Sequence, residues 1–191
     1  MIDQILVDLD DVLNQFTMHA LRYMGCLNCD TDADFPIEVG YNIVAACNLK
    51  HPTQHWTPKQ FWSNLSREVW VSTPESEWMM WLLNWCGEAV GRKNVLLATS
   101  PTYDPECAAG KTQWIQEHMP DWMLRQYSIT PKKEAYAHPK TLLIDDAEIN
   151  VDTFRAKHGQ AILVPKPWNR NNRLDPQSHV EFWLKDALCM V

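Results

Sequence analysis

The sequence predicts an α/β fold: a Rossmann-like parallel sheet with helices on both faces and a small helical unit inserted after the first strand. Three observations predict it. Four short apolar runs, Ile5-Leu6-Val7, Val95-Leu96-Leu97-Ala98, Leu142-Leu143-Ile144 and Ala161-Ile162-Leu163-Val164, are continuous and rich in leucine and β-branched residues, as strands covered on both faces require. Helix-like stretches separate the runs, so the strands are expected to be joined by crossovers and to lie parallel. Three runs end in polar residues, Asp8-Leu9-Asp10, Thr99-Ser100 and Asp145-Asp146. In an open α/β sheet the ligand crevice lies outside the carboxyl ends of the strands, so these groups should converge there.

Taken in order, Ile5–Val7 is the first core strand. Residues 14–92 then read as a mostly helical insertion, with weak strand signals and six tryptophans in the second half, Trp56, Trp62, Trp70, Trp78, Trp81 and Trp85. The last three fall three and four apart, the spacing of one helical face. Gly87 and Gly91 with Arg92-Lys93 mark the return, which divides the chain into a core of residues 1–13 and 93–191 and a cap of residues 14–92. Past the Val95 strand, Glu106–His118 is a helix with Pro105 at its start and Pro120 beyond its end, and Ile149–Lys157 is another.

A length of 191 residues suits one core with one insertion. The 46% hydrophobic and 21% charged shares are those of an ordinary globular chain. A net charge of −7 argues against coating a nucleic-acid polymer, which calls for a basic face. No apolar segment approaches the roughly 20 residues that span a bilayer, and Met1-Ile-Asp-Gln4 lacks a basic stretch before an apolar run, so no membrane association and a cytoplasmic location are expected. The sequence leaves a homodimer open. Six cysteines, Cys26, Cys29, Cys47, Cys86, Cys107 and Cys189, are expected to be reduced thiols. A second reading takes Cys26, Cys29 and Cys47 with His51 or His55 as structural zinc ligands.

Asp8 and Asp10 sit two apart at a strand end, so both side chains point the same way while Leu9 turns into packing. Two carboxylates forced together call for a cation, and hard oxygen ligands favour magnesium; Asp145 and Asp146 complete a plausible cage. Such a site suits phosphate-ester cleavage, which needs an in-line nucleophile, neutralised equatorial oxygens and a proton for the leaving group. Asp8, directly on the strand end, is the better nucleophile, and Asp10, a step further out, is placed to act as acid and base. Thr99 and Ser100 offer hydroxyls and N–H groups to phosphate oxygens, and Lys132 or Lys133 can hold nucleophile and phosphate together.

Asp8-Leu9-Asp10-Asp11-Val12-Leu13, Leu97-Ala98-Thr99-Ser100-Pro101, a downstream lysine and Leu142-Leu143-Ile144-Asp145-Asp146 resemble the four ordered motifs of the haloacid dehalogenase superfamily. Within it the chain is most similar to the 5'(3')-deoxyribonucleotidases. Cys107-Ala-Ala-Gly-Lys111-Thr-Gln-Trp114 resembles that family's Cys-x-x-x-Lys-x-x-Trp, and Leu163-Val-Pro-Lys-Pro-Trp-Asn169 resembles its late strand followed by Asn. The resemblance implies a magnesium-dependent phosphomonoesterase hydrolysing (deoxy)nucleoside monophosphates through an aspartyl-phosphate. Asp8 would be the nucleophile, Asp10 the acid/base, Thr99 a phosphate ligand and Lys133 the stabilising lysine, with Ser100 and Lys111 on the substrate. Asp8, the backbone carbonyl of Asp10 and the pair Asp145-Asp146 would hold magnesium, Asp146 directly.

The resemblance also places the base beneath the cap, where Phe16, Phe61, Trp62 and Trp70 are candidate stacking platforms; packing of these rings within the cap is the alternative. Asp11 departs from the family, which has Gly there, and adds a third carboxylate beside the site. Two other functions fit the same residues: a phosphatase of the same fold for another small phosphate such as a sugar phosphate, and a non-catalytic nucleotide- or partner-binding module.

Overall fold

A computed structural model describes residues 1–188, so Cys189 lies outside the described residues. Five parallel strands, β1 (Gln4–Val7), β2 (Val95–Thr99), β3 (Tyr127–Ile129), β4 (Thr141–Asp145) and β5 (Gln160–Leu163), form one sheet in the order β3-β2-β1-β4-β5. The chain runs outward from β1 through β2 to β3, then returns to the other side of β1 for β4 and β5. The direction of winding therefore reverses between β1 and β4, where Val7 pairs with Ile144, and ligands bind at such a switch point. The four expected strands are present. The edge strand β3 was not visible in the sequence: its three residues are only half-buried and form no apolar run.

Strand residues alternate between two apolar clusters, as the two-residue period dictates. Ile5, Val7, Leu97, Leu142 and Ile144 face α5 (Met79–Val90), α6 (Pro105–His118) and α8 (Pro176–Ala187), through Leu82, Trp114 and Leu184 among others. Leu6, Ala98, Leu143 and Leu163 face α7 (Glu148–Ala156), through Val151 and Phe154. Asp104 caps α6 by accepting the Glu106 N–H at 2.9 Å, with Pro105 in the first turn where a missing N–H costs nothing.

Between β1 and α5 lie four short helices, α1 (Phe16–Tyr23), α2 (Ile43–Lys50), α3 (Pro58–Asn64) and α4 (Arg67–Val71). Their apolar side chains form a separate cluster that includes Phe16, Leu21, Cys47, Phe61 and Trp70. The chain enters and leaves this cluster side by side: Asn14 bridges antiparallel to Glu75, and the Gln15 N–H donates to the Pro74 carbonyl at 2.9 Å. Helix α5 lies within the stretch read as insertion, yet its Met79, Leu82, Leu83 and Cys86 pack with the sheet, and Trp78, Trp81 and Trp85 flank that cluster. Gly110 lets α4 settle on α6, because a Cβ there would lie 2.6 Å from the Trp70 Cβ.

Candidate active site

The loop after β1 is a tight turn in which Val12, Leu13 and Asn14 all donate backbone N–H bonds to the Leu9 carbonyl. This turn buries Leu9 in the core and brings Asp10 and Asp11 to the cavity beyond the sheet end. Asp8 is 6% exposed and Asp11 4%. The Lys133 Nζ stands 2.7 Å from Asp8 Oδ1 and 2.6 Å from Asp145 Oδ2, with the lysine 2% exposed. Lys132, the alternative, is exposed, and its backbone N–H donates to the Thr130 hydroxyl at 3.1 Å.

Asp145 is fully engaged. Its Oδ1 accepts the Ala147 N–H at 2.9 Å, Lys133 binds Oδ2, and the Asn150 amide donates to both oxygens at 3.1 Å. Asp146 is held differently: Trp168 Nε1–H donates to its Oδ2 at 2.7 Å, and the Asn169 amide donates to its backbone carbonyl at 2.9 Å. Ligand atoms of Asp8, Asp145 and Asp146 all lie within 4.8 Å of one another, and this is the one such group among the described residues. Cys26, Cys29 and Cys47 with His51 or His55 do not form such a group among the described residues. Cys26 and Cys47 approach to 3.2 Å, but the Cys29 thiol turns to the Leu27 carbonyl, and all three are buried free thiols.

Lys111 serves Asp10. From α6 its Nζ donates to Asp10 Oδ2 at 2.6 Å, Thr99 Oγ1 at 2.9 Å and the Ser100 carbonyl at 2.6 Å. All three ammonium donors are thereby engaged within the protein, and the Lys111 side chain also borders the cavity between cap and core. Asp11 takes the left-handed region at φ 61°, which a short polar side chain tolerates better than most. It accepts from the Thr17 hydroxyl at 2.6 Å and the Thr17 N–H at 2.9 Å. Lys166, which bonds Asp32 at 2.8 Å, supports it electrostatically.

Six carboxylates, Asp8, Asp10, Asp11, Asp32, Asp145 and Asp146, thus face three ammonium groups, Lys111, Lys133 and Lys166. Carboxylates are in excess, and the Asp8, Asp145 and Asp146 donors are hard oxygens, so the residues fit a divalent cation. The titration behaviour carries the same imbalance. Burial, reinforced by Asp145 and Asp10 against the pull of Lys133, pushes Asp8 up to about 7. Burial pushes Asp11 up to about 7 as well, against Lys166, and raises Asp146 well above the carboxylate range, with Asp11 and Asp145 adding to it. Burial alone would lower Lys133, but Asp145 and Asp8 hold its ammonium above the usual lysine value.

Above these groups, between cap and core, opens a cavity of about 1040 Å³. Asp10, Asp11, Ser100 and Lys111 line its floor, and Phe16, Trp62, Trp70, Ile43 and Val44 line its cap side. Phe16 and Trp70 stack on each other at 4.4 Å, so each has one face covered. Phe61 is a correction: it is fully buried in the cap cluster, edge-on to Trp62, and cannot offer a face to a ligand. Tyr41 also lines the cavity, from an exposed position on the cap.

Sequence reasoning assigned no role to Tyr41, and the run from Leu163 to Asn169 carried a family resemblance without a role for Lys166, Trp168 or Asn169, although these follow the carboxyl end of β5, where the strand-end rule applies as well.

No protein-family model matches the sequence, and no curated protein matches it. Solved structures do. The chain is similar to a HAD-family hydrolase from Deinococcus radiodurans R1, solved with bound phosphate and sodium, over 97% of this chain and 96% of that one, at 14% identity and a TM-score of 0.58. It is also similar to a protein from Lactobacillus delbrueckii subsp. bulgaricus assigned as a phosphoglycolate phosphatase, over 97% and 98% of the two chains, at 13% identity and a TM-score of 0.52. The parallel five-stranded sheet, with its acidic cluster at the β1–β4 switch point, is accordingly the fold of the haloacid dehalogenase hydrolases.

Proposed function

We propose that the protein is a magnesium-dependent phosphomonoesterase acting on (deoxy)nucleoside monophosphates, to give nucleoside and phosphate. The observation that carries the chemistry is Lys133 bridging Asp8 and Asp145 beside Asp146, with Asp10 gripped by Lys111 one step further into the cavity. Asp8 attacks phosphorus and forms an aspartyl-phosphate. Asp10 protonates the departing oxygen and then takes a proton from the water that attacks the intermediate. Lys133 opposes the burial that raises Asp8 and aims its carboxylate, and the Thr99 hydroxyl, bonded to Lys111, would meet a phosphate oxygen.

Asp8, Asp146 and the backbone carbonyl of Asp10 would hold the magnesium, which when bound neutralises charge on the transferring group. Asp146 suits direct ligation better than Asp145, since its Oδ1 accepts no hydrogen bond among the described residues while both oxygens of Asp145 are engaged. The cavity supports a substrate larger than a three-carbon phosphate, and the half-buried Trp62 on its cap side suits a flat base.

Phosphate release from ribo- and deoxynucleoside monophosphates, with sugar phosphates and phosphoglycolate alongside, tests the reading in magnesium and then in excess chelator. Magnesium-dependent release fastest from deoxynucleotides, abolished in a folded Asp8→Asn variant, is the expected result. Release only from the other phosphates would keep the mechanism and remove the nucleotide, and no release from any of them would leave a binding module.

A further inference from the structure

Four residues after β5 close a turn on themselves: the Asn169 N–H donates to the Lys166 carbonyl at 3.1 Å, and the Lys166 N–H donates to Asn169 Oδ1 at 3.4 Å. This turn grips Asp146 twice. Asn169 fixes the backbone through the Asp146 carbonyl at 2.9 Å, and Trp168 fixes the side chain through Oδ2 at 2.7 Å. With Oδ2 committed to the indole, Oδ1 is the oxygen turned to other partners. The Trp168 ring is 5% exposed, and it is set by the cap rather than by the core. Phe35 packs edge-on to it with centroids 5.0 Å apart, Tyr41 lies 6.5 Å away, and the Lys166 ammonium stands 5.8 Å from its centroid while bonding Asp32 of the same cap segment.

We propose that Trp168 is a positioning residue that presents Asp146 to the metal, and that Phe35 of the cap sets its orientation, so that metal affinity depends on the seating of the cap. The inference rests on the magnesium reading above. Its physical basis is the general behaviour of groups behind a metal ligand: a donor bonded to one carboxylate oxygen fixes the rotation of the other, and its removal typically weakens metal binding about 10–100-fold. Here that donor is an indole wedged between the carboxylate and an aromatic side chain of a different structural unit, which gives the two units a shared side chain through which each senses the other.

The experiment is direct magnesium titration by calorimetry, with no substrate present, on wild type, Trp168→Phe and Phe35→Leu. Trp168→Phe removes the N–H and keeps an aromatic ring, though a smaller one, in the same packing. The expected result is a dissociation constant raised about 10–100-fold in Trp168→Phe, and raised by a smaller factor in Phe35→Leu, with the thermal midpoint in chelator little changed. Magnesium uptake by wild type at an unchanged constant in folded Trp168→Phe overturns the role of the indole. An unchanged constant in Phe35→Leu overturns the link to the cap, and this variant carries the test if Trp168→Phe fails to fold. No uptake by wild type overturns the magnesium reading itself, and the inference with it.

Discussion

Lys133 stands 2.7 Å from Asp8 while buried to 2% exposure, so nucleophile and lysine form an ion pair almost closed to water. The same ammonium reaches Asp145 at 2.6 Å. Such a group matters chiefly through what its loss leaves behind, because an uncompensated buried charge costs far more than an exposed one. Lys133→Met should therefore abolish phosphate release and destabilise the metal-free protein by about 3–5 kcal/mol. Asp8→Asn, which removes a strained carboxylate, should abolish release with the midpoint unchanged or raised. Urea unfolding in chelator separates the two, and equal destabilisation would argue against the ion pair as the anchor.

Asp10 and Lys111 form the second pair, at 2.6 Å, on the cavity floor. If Asp10 supplies the leaving-group proton, Asp10→Asn should slow nucleotide hydrolysis about 100- to 10,000-fold. An aryl phosphate with an acidic phenol needs no proton in that step, so formation of the aspartyl-phosphate from it should be much less affected. Pre-steady-state phenol release in single turnovers reads this difference directly, and equal losses on both substrates would remove Asp10 from the acid role.

Asp11 provides a pH test of the electrostatics. Its folded value lies near 7 against an ordinary 3.8, so the folded state binds the extra proton between those limits. Stability contributed by this group is thus present at low pH and lost as pH rises from about 4 towards about 7. In chelator Asp11→Asn should gain on wild type across that window, by on the order of 1–3 kcal/mol at pH 8. Thermal melts at pH 5 and pH 8 measure the change, and a gap that narrows with rising pH would contradict the burial argument.

Phe61 and Trp62 are neighbours in α3 with different surroundings. Phe61→Ala should cost about 3–5 kcal/mol of stability through the cavity it leaves. Trp62→Ala should leave stability nearly intact and raise KM for nucleotides roughly five- to a hundredfold, the worth of one stacked base. Unfolding midpoints and KM values for one nucleotide and one sugar phosphate check both.

The sequence by itself determined four of the five strands and which polar residues gather at their carboxyl ends. Apolar runs at Ile5, Val95, Leu142 and Ala161 had to become buried strands, because strands covered on both faces have no polar side to show. Asp8, Thr99 and Asp145 had to gather where the strands end, because parallel strands point their carboxyl ends the same way. The choice of Lys133 over Lys132, the commitment of Lys111 to Asp10, the loss of Phe61 to packing and the grip of Trp168 on Asp146 were settled only in three dimensions. Each depends on a partner far away in sequence or on which way one side chain turns. Local pattern fixes which residues are apolar and where a strand must stop, but which buried donor meets which acceptor is decided only when the cap and the β5 turn close on the same few ångströms of space.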